Sequence, residues 1–99
     1  MHSRYFIDVG GVIFATTRST LSKCPALDRM MKEHDGVKEQ DKAPLFVDRD
    51  GYYFQYVLNF LRNNSIASID ASVVEALLNE AAFFKLKEME RQLTELQIK

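Results

Sequence analysis

The chain has 99 residues, 46% hydrophobic and 27% charged, and its 13 Lys+Arg against 14 Asp+Glu leave a net charge of −1. That is one domain's worth of sequence, able to bury roughly 60–70% of its unfolded surface, and it lacks both a disordered composition and the basic excess that phosphate binding requires. No run approaches the roughly 18 consecutive apolar residues that would span a bilayer, and a lone cysteine, Cys24, excludes an internal disulfide and a zinc site of several thiolates.

Residues 1–99 therefore read as a single domain. Met1-His2-Ser3-Arg4 runs directly into an apolar strand without the features of a secretory leader. One unpaired cysteine suits a reducing compartment, the cytoplasm or the nucleus. Cys24, followed by Pro25 among apolar neighbours, is expected to be a buried, inert thiol.

In chain order, Arg4–Val9 and Val12–Thr16 are two β-rich runs separated by Gly10-Gly11, the pattern of a hairpin with a tight turn. Ser19 and Thr20 are candidate caps of a short helix through Lys23. Pro25 suits the first turn of the next helix, which carries Leu27, Met30 and Met31 on one face and ends near His34-Asp35-Gly36. The polar segment 35–44 closes with Pro44 and reads as a surface loop. Leu45-Phe46-Val47 is a short buried strand, and Asp48-Arg49-Asp50-Gly51 a turn with Asp50 as candidate N-cap. Phe54, Val57, Leu58 and Leu61 then form an amphipathic stripe that ends at Asn63-Asn64. Ser72-Val73-Val74-Glu75 has the spacing of a capping box, opening a helix with Val74, Leu77, Leu78 and Ala81 inward and closed by Phe83 and Phe84. Leu86, Met89, Leu93 and Leu96 make a heptad-like seam too short to stand alone, which favours a terminal helix packed on the domain. The whole is an α+β domain, helices packed on a small sheet.

Chemistry is sparse. Gly10-Gly11 has no following Gly-Lys-Ser/Thr and is a turn rather than a phosphate loop. His2 and His34 fall in no metal-binding frame and read as surface imidazoles, so no metal or other cofactor is expected. Asp48 and Asp50 flank Arg49. A carboxylate pair at that spacing on a turn suits capping and ion pairing better than acid–base catalysis. With no nucleophile motif either, the chain does not read as an enzyme. Tyr52, Tyr53, Tyr56 and Phe60 crowd one helix; those left at the surface would favour a protein interface.

Five blocks, in order, carry a resemblance that covers nearly the whole chain. Phe6-Ile7-Asp8-Val9-Gly10-Gly11-Val12-Ile13-Phe14 resembles the opening of the potassium-channel tetramerisation (KCTD-type) branch of BTB/POZ domains. Thr16-Thr17-Arg18-Ser19-Thr20-Leu21 with Pro25, Phe46-Val47-Asp48-Arg49-Asp50, Val57-Leu58-Asn59-Phe60-Leu61-Arg62 and Glu80-Ala81-Ala82-Phe83-Phe84-Lys85-Leu86 resemble its later blocks. Asp8 stands where that family usually has Asn, and Asn63-Asn64 replaces its common Thr-Gly or Asp-Gly. The His and Cys ligands of zinc-stapled channel domains are missing.

The resemblance implies a BTB/POZ fold with a small three-stranded sheet and about five helices. It implies a protein–protein interaction module that homo-oligomerises head to tail as a tetramer or pentamer. By the same analogy, Thr16, Thr17, Arg18, Asp48, Arg49 and Asp50 are candidates for the inter-subunit face, with helix capping as the competing role for the same residues. Many relatives present this domain to a cullin scaffold as substrate adaptors of a ubiquitin ligase, which sets one functional expectation. The alternative is the cytoplasmic tetramerisation domain of a voltage-gated potassium channel.

Overall fold

The computed structural model describes residues 4–66 and 69–97. Strands β1 (Arg4–Val9) and β2 (Val12–Thr17) form the hairpin; helices α1 (Arg18–Leu21) and α2 (Pro25–His34) follow. A 3-10 turn at Glu39–Asp41 interrupts the polar loop before β3 (Leu45–Val47). Helices α3 (Gly51–Asn63), α4 (Ala71–Phe83) and α5 (Lys87–Gln97) complete the order.

The sheet order is β2-β1-β3. β2 runs antiparallel to β1, with Val9 opposite Val12 and Arg4 opposite Thr17; β3 runs parallel to β1, with Ile7 opposite Leu45 and Val9 opposite Val47. Successive strand residues point to opposite faces. Ile7, Val9, Phe14, Leu45 and Val47 are accordingly buried on the inner face, and Phe6, Ile13, Ala15 and Phe46 are exposed on the outer one.

The hairpin turn forms because Gly10 takes φ +59°, and a Cβ there would run into the Arg49 carbonyl oxygen. Asp8 Oδ1 accepts from the Gly11 N–H at 2.8 Å. An amide oxygen would accept equally well, so Asp in place of Asn preserves this turn. Gly51 marks a second close approach: its Cβ would lie 2.6 Å from the Val9 carbonyl oxygen and from Val12 Cγ2. The start of α3 is thereby pressed onto the hairpin, with the Gly10 N–H donating to the Val47 carbonyl at 3.0 Å.

The core lies between the inner sheet face and the helices. Phe14, Phe54 and Phe84 stack in sequence, with ring centroids 5.2 Å and 5.6 Å apart. The α3 stripe of Phe54, Val57, Leu58 and Leu61 is buried as its spacing predicts. Cys24 is buried as expected; its thiol donates to the Phe84 carbonyl at 3.4 Å, and burial pushes its pKa up. Leu86, Met89 and Leu93 are buried against the domain while Leu96 is partly exposed, so the C-terminal seam is a packing stripe.

Two caps differ from the sequence expectation. α1 runs from Arg18 to Leu21 with Thr17 as its N-cap, two residues ahead of Ser19 and three ahead of Thr20. α4 begins at Ala71 with Asp70 as N-cap, its carboxylate accepting from the Ser72 N–H at 2.9 Å, in place of a box opened by Ser72. Asp70 has the extended backbone (φ −68°, ψ 134°) that an N-cap requires, whereas Ser72 is already inside the helix.

Candidate interaction surface

The six candidate residues fall into two clusters. Thr16-Thr17-Arg18 lies where β2 passes into α1, at the Arg4 end of β1. Asp48-Arg49-Asp50 lies where β3 passes into α3, beyond the Val9 end. β2 and β3 are the two edges of the sheet, so the clusters occupy diagonally opposite corners. A six-residue β1 sets them about 17 Å apart along the strand direction.

In the first cluster, Thr16 is buried on the inner side of β2. Thr17 Oγ1 accepts from the Thr20 N–H at 3.2 Å and shares a hydrogen bond with the Thr20 hydroxyl at 2.9 Å. Its hydroxyl therefore closes the first turn of α1. Arg18 reaches Asp35, the C-cap of α2, through two hydrogen bonds, Nη1 to Oδ1 at 3.2 Å and Nη2 to Oδ2 at 2.5 Å. Its guanidinium lies 5.6 Å from the Tyr5 ring centre. The Arg18 hydrogen bonds hold the Asp35 carboxyl below the usual carboxylate range, while burial raises the Tyr5 phenol.

In the second cluster, Arg49 turns inward. Its Nε donates to Glu80 Oε1 at 3.1 Å and its Nη2 to Oε2 at 2.8 Å, a two-pronged pair with a buried carboxylate on α4. The same guanidinium stacks 4.5 Å from the centre of the Phe83 ring. Asp50 Oδ1 accepts from the Tyr52 N–H at 2.9 Å and caps α3, as its position predicts. Asp48 is exposed and makes no hydrogen bond or ion pair among the described residues. The arrangement thus separates tasks: Thr17 and Asp50 cap helices, Arg18 and Arg49 clamp elements together, and Asp48 faces solvent. His34 is half-buried at the end of α2, and His2 lies outside the described residues. Among the described residues no group of three or more His, Cys, Asp or Glu is placed to hold a metal ion.

A family model described as BTB/POZ domain matches residues 5–93. The chain belongs to the BTB/POZ family, in its potassium-channel tetramerisation branch. The small mixed sheet with five helices on it is the compact α+β form of that family. Similar proteins include potassium channel regulatory proteins from three mammals. The chain is 38% identical over 84 residues to the one from Bos taurus and 39% over 84 residues to that from Mus musculus, in each case 81% of this chain and 31% of the relative. It is 36% identical over 86 residues to the one from Homo sapiens, 84% of this chain and 32% of the relative. This BTB/POZ domain thus spans about a third of the length of those relatives. The family is one of protein-interaction domains. No helix among the described residues is long and apolar enough to cross a membrane.

Sequence reasoning left out the partners of the two arginines, Asp35 and Glu80, and the ring under Arg49, Phe83. Glu80 carried a readable signal: it sits one position before Ala81 on the inward stripe of α4, where a carboxylate requires a cation. The exposed outer sheet face of this BTB/POZ domain, Phe6, Ile13 and Phe46, was also unread as a surface, and Phe46, expected within a buried strand, is exposed because alternate residues of β3 face outward.

Proposed function

We propose that this BTB/POZ domain, residues 1–99 acting as one unit, is a self-assembling interaction module that forms a head-to-tail tetramer or pentamer. In that assembly it serves as part of a substrate adaptor of a cullin-RING ubiquitin ligase, in the cytoplasm or nucleus, without catalytic chemistry or a cofactor of its own. The observation that carries the reading is the family match over residues 5–93. The geometry supports it: Arg18 and Arg49 are fixed by bidentate partners, which stiffens the surface formed by Thr17, Arg18, Asp48, Arg49 and Asp50, with Thr16 buried behind it. Charges held in place set the register of a contact more than they add affinity. Asp48 is exposed and makes no hydrogen bond or ion pair among the described residues, though its charge acts on the adjacent Arg49, so its carboxylate is open to a neighbouring molecule.

The adaptor half of the proposal is tested by passing the purified chain over an immobilised cullin scaffold. Retention at one cullin per copy of the chain is expected; failure to bind while the chain still assembles removes the ubiquitin-ligase reading and leaves the module. The name of the relatives, potassium channel regulatory protein, favours a second reading, the cytoplasmic tetramerisation domain of a voltage-gated potassium channel. Co-assembly with a channel's own cytoplasmic domain, in place of cullin binding, would select it.

A further inference from the structure

Where the α1–α2 connection, the end of α3 and the start of α5 meet, the surface is hollowed by a cavity of about 280 Å³. Its apolar lining is Pro25, Phe60, Leu61 and Leu86. Three exposed lysines stand around it, each from a different segment: Lys23 from the α1–α2 connection, Lys85 from the α4–α5 turn and Lys87 from the first turn of α5. The chain does little to neutralise them. Lys85 makes no hydrogen bond or ion pair among the described residues. Lys23 Nζ donates to the Leu61 carbonyl at 3.1 Å, a neutral acceptor that leaves its charge uncancelled. Lys87 reaches Glu90 only at 3.7 Å, with its side chain 86% exposed. Glu88 also lines the cavity, but both its oxygens are engaged by Arg91, at 2.9 and 2.6 Å, and Gln92 adds a bond at 3.0 Å. α3 carries no acidic residue. Lys85 takes φ +57° in the turn that ends α4. That backbone favours glycine, so the turn itself gives no reason for a lysine.

We propose that this cavity docks an acidic peptide segment of a partner protein. One apolar side chain of the segment fills the hollow, and carboxylates on either side of it pair with Lys23, Lys85 and Lys87. Size and charge both select this occupant. Pockets that enclose a whole small-molecule ligand run to roughly 300–1,000 Å³; a cavity of about 280 Å³ lies below that range and suits a single large side chain. An apolar anchor in a pocket, ringed by charges that set orientation, is how short segments are recognised. The rim is cationic, so the flanks of the segment are anionic. A nucleic acid would satisfy the lysines and leave the apolar lining unfilled, and the chain has no basic excess to hold one, with a net charge of −1. The inference does not rest on the self-assembly or cullin readings and stands or falls apart from them.

The test selects a displayed random-peptide library on the immobilised chain and measures the best binder, as a fluorescent synthetic peptide, by anisotropy. Enriched peptides are expected to carry Asp or Glu on both sides of a large apolar residue. Their affinity should fall about tenfold in the double variant Lys85→Glu/Lys87→Glu, and should weaken as salt rises from about 0.05 to about 0.5 M. The control Arg4→Glu/Lys38→Glu, which changes net charge equally at positions that do not line the cavity, should bind as the unmodified chain does. Circular dichroism confirms folding; if the first double variant does not fold, Lys85→Gln/Lys87→Gln takes its place with a smaller loss in the same direction. Enriched peptides without acidic residues, equal loss in both double variants, or full binding by the cavity variant overturns the proposal. So does a selection that enriches no peptide, including one in which the chain instead binds phosphatidylserine vesicles or a single-stranded oligonucleotide through these lysines.

Discussion

Arg49 is the residue that ties the turn end of the sheet to the helices. It leaves β3 with its neighbours facing solvent, crosses to Glu80 on α4 and stacks on Phe83. The Glu80 side chain is 7% exposed and that of Arg49 27%, so removal of the arginine strands a carboxylate with little access to water. Loss of one partner from a fully buried pair costs about 3–5 kcal/mol; with Arg49 at the rim, Arg49→Met is expected to cost about 2–3 kcal/mol in urea unfolding. Adding Glu80→Leu should recover at least half of that, because the stranded charge is then gone. Equal destabilisation in the single and double variants would show that the pair does not act as a unit. At the surface, carboxylates dominate the pH response. Arg91 holds Glu88 down to about 2, Lys32 and Ser22 hold Asp28 low, Arg18 holds Asp35 low, and the Ser72 N–H holds Asp70 low. Each folded-state pKa lies below its unfolded value, so each contribution is complete above the unfolded carboxylate pKa and is lost as pH falls through the folded one. The urea midpoint should therefore be flat from pH 7 to about 5 and decline from there toward pH 2. A midpoint that rises on acidification would contradict these ion pairs.

At the scale of elements, the caps give the sharpest comparison. Asp70 and Asp50 each accept the N–H two residues on and open a helix of 13 residues. Substitution of either by Ala should cost about 1 kcal/mol, measured by thermal or urea unfolding, whereas Ser72→Ala should be close to neutral. The reverse order would restore the capping box that the spacing of Ser72 and Glu75 suggests. Spacing alone could not choose between Asp70 and Ser72, because both precede an apolar run by a workable interval. The choice depends on which residue adopts extended backbone, and that residue is Asp70. By contrast, the Gly10-Gly11 turn, the Phe54–Leu61 stripe and the packing of Leu86, Met89 and Leu93 were legible, since each rests on a local period or on a backbone conformation only glycine takes easily. The sheet was half legible. The strands could be read, but β1 alternates two apolar sets, Tyr5-Ile7-Val9 and Phe6 beside Asp8, and nothing local says which set faces the helices. Nor does any local signal place β1 in the centre, parallel to β3.

For the whole molecule, the candidate residues read from sequence, five of them at the surface and Thr16 buried, are not one site. Thr16-Thr17-Arg18 and Asp48-Arg49-Asp50 stand at opposite corners of the sheet, and four of the six have a defined task inside the chain. Sequence order placed them in motifs; only the parallel pairing of β3 with β1 shows that they lie apart. Phe6, Ile13 and Phe46 stand in water on the outer sheet face, and exposed apolar patches of this kind mark binding sites or cause aggregation. The most direct measurement is the solution mass of the unmodified chain by multi-angle light scattering across micromolar concentrations. A mass four or five times that of the 11.4 kDa chain is the expected result, and a species of 11.4 kDa at every concentration would contradict the account.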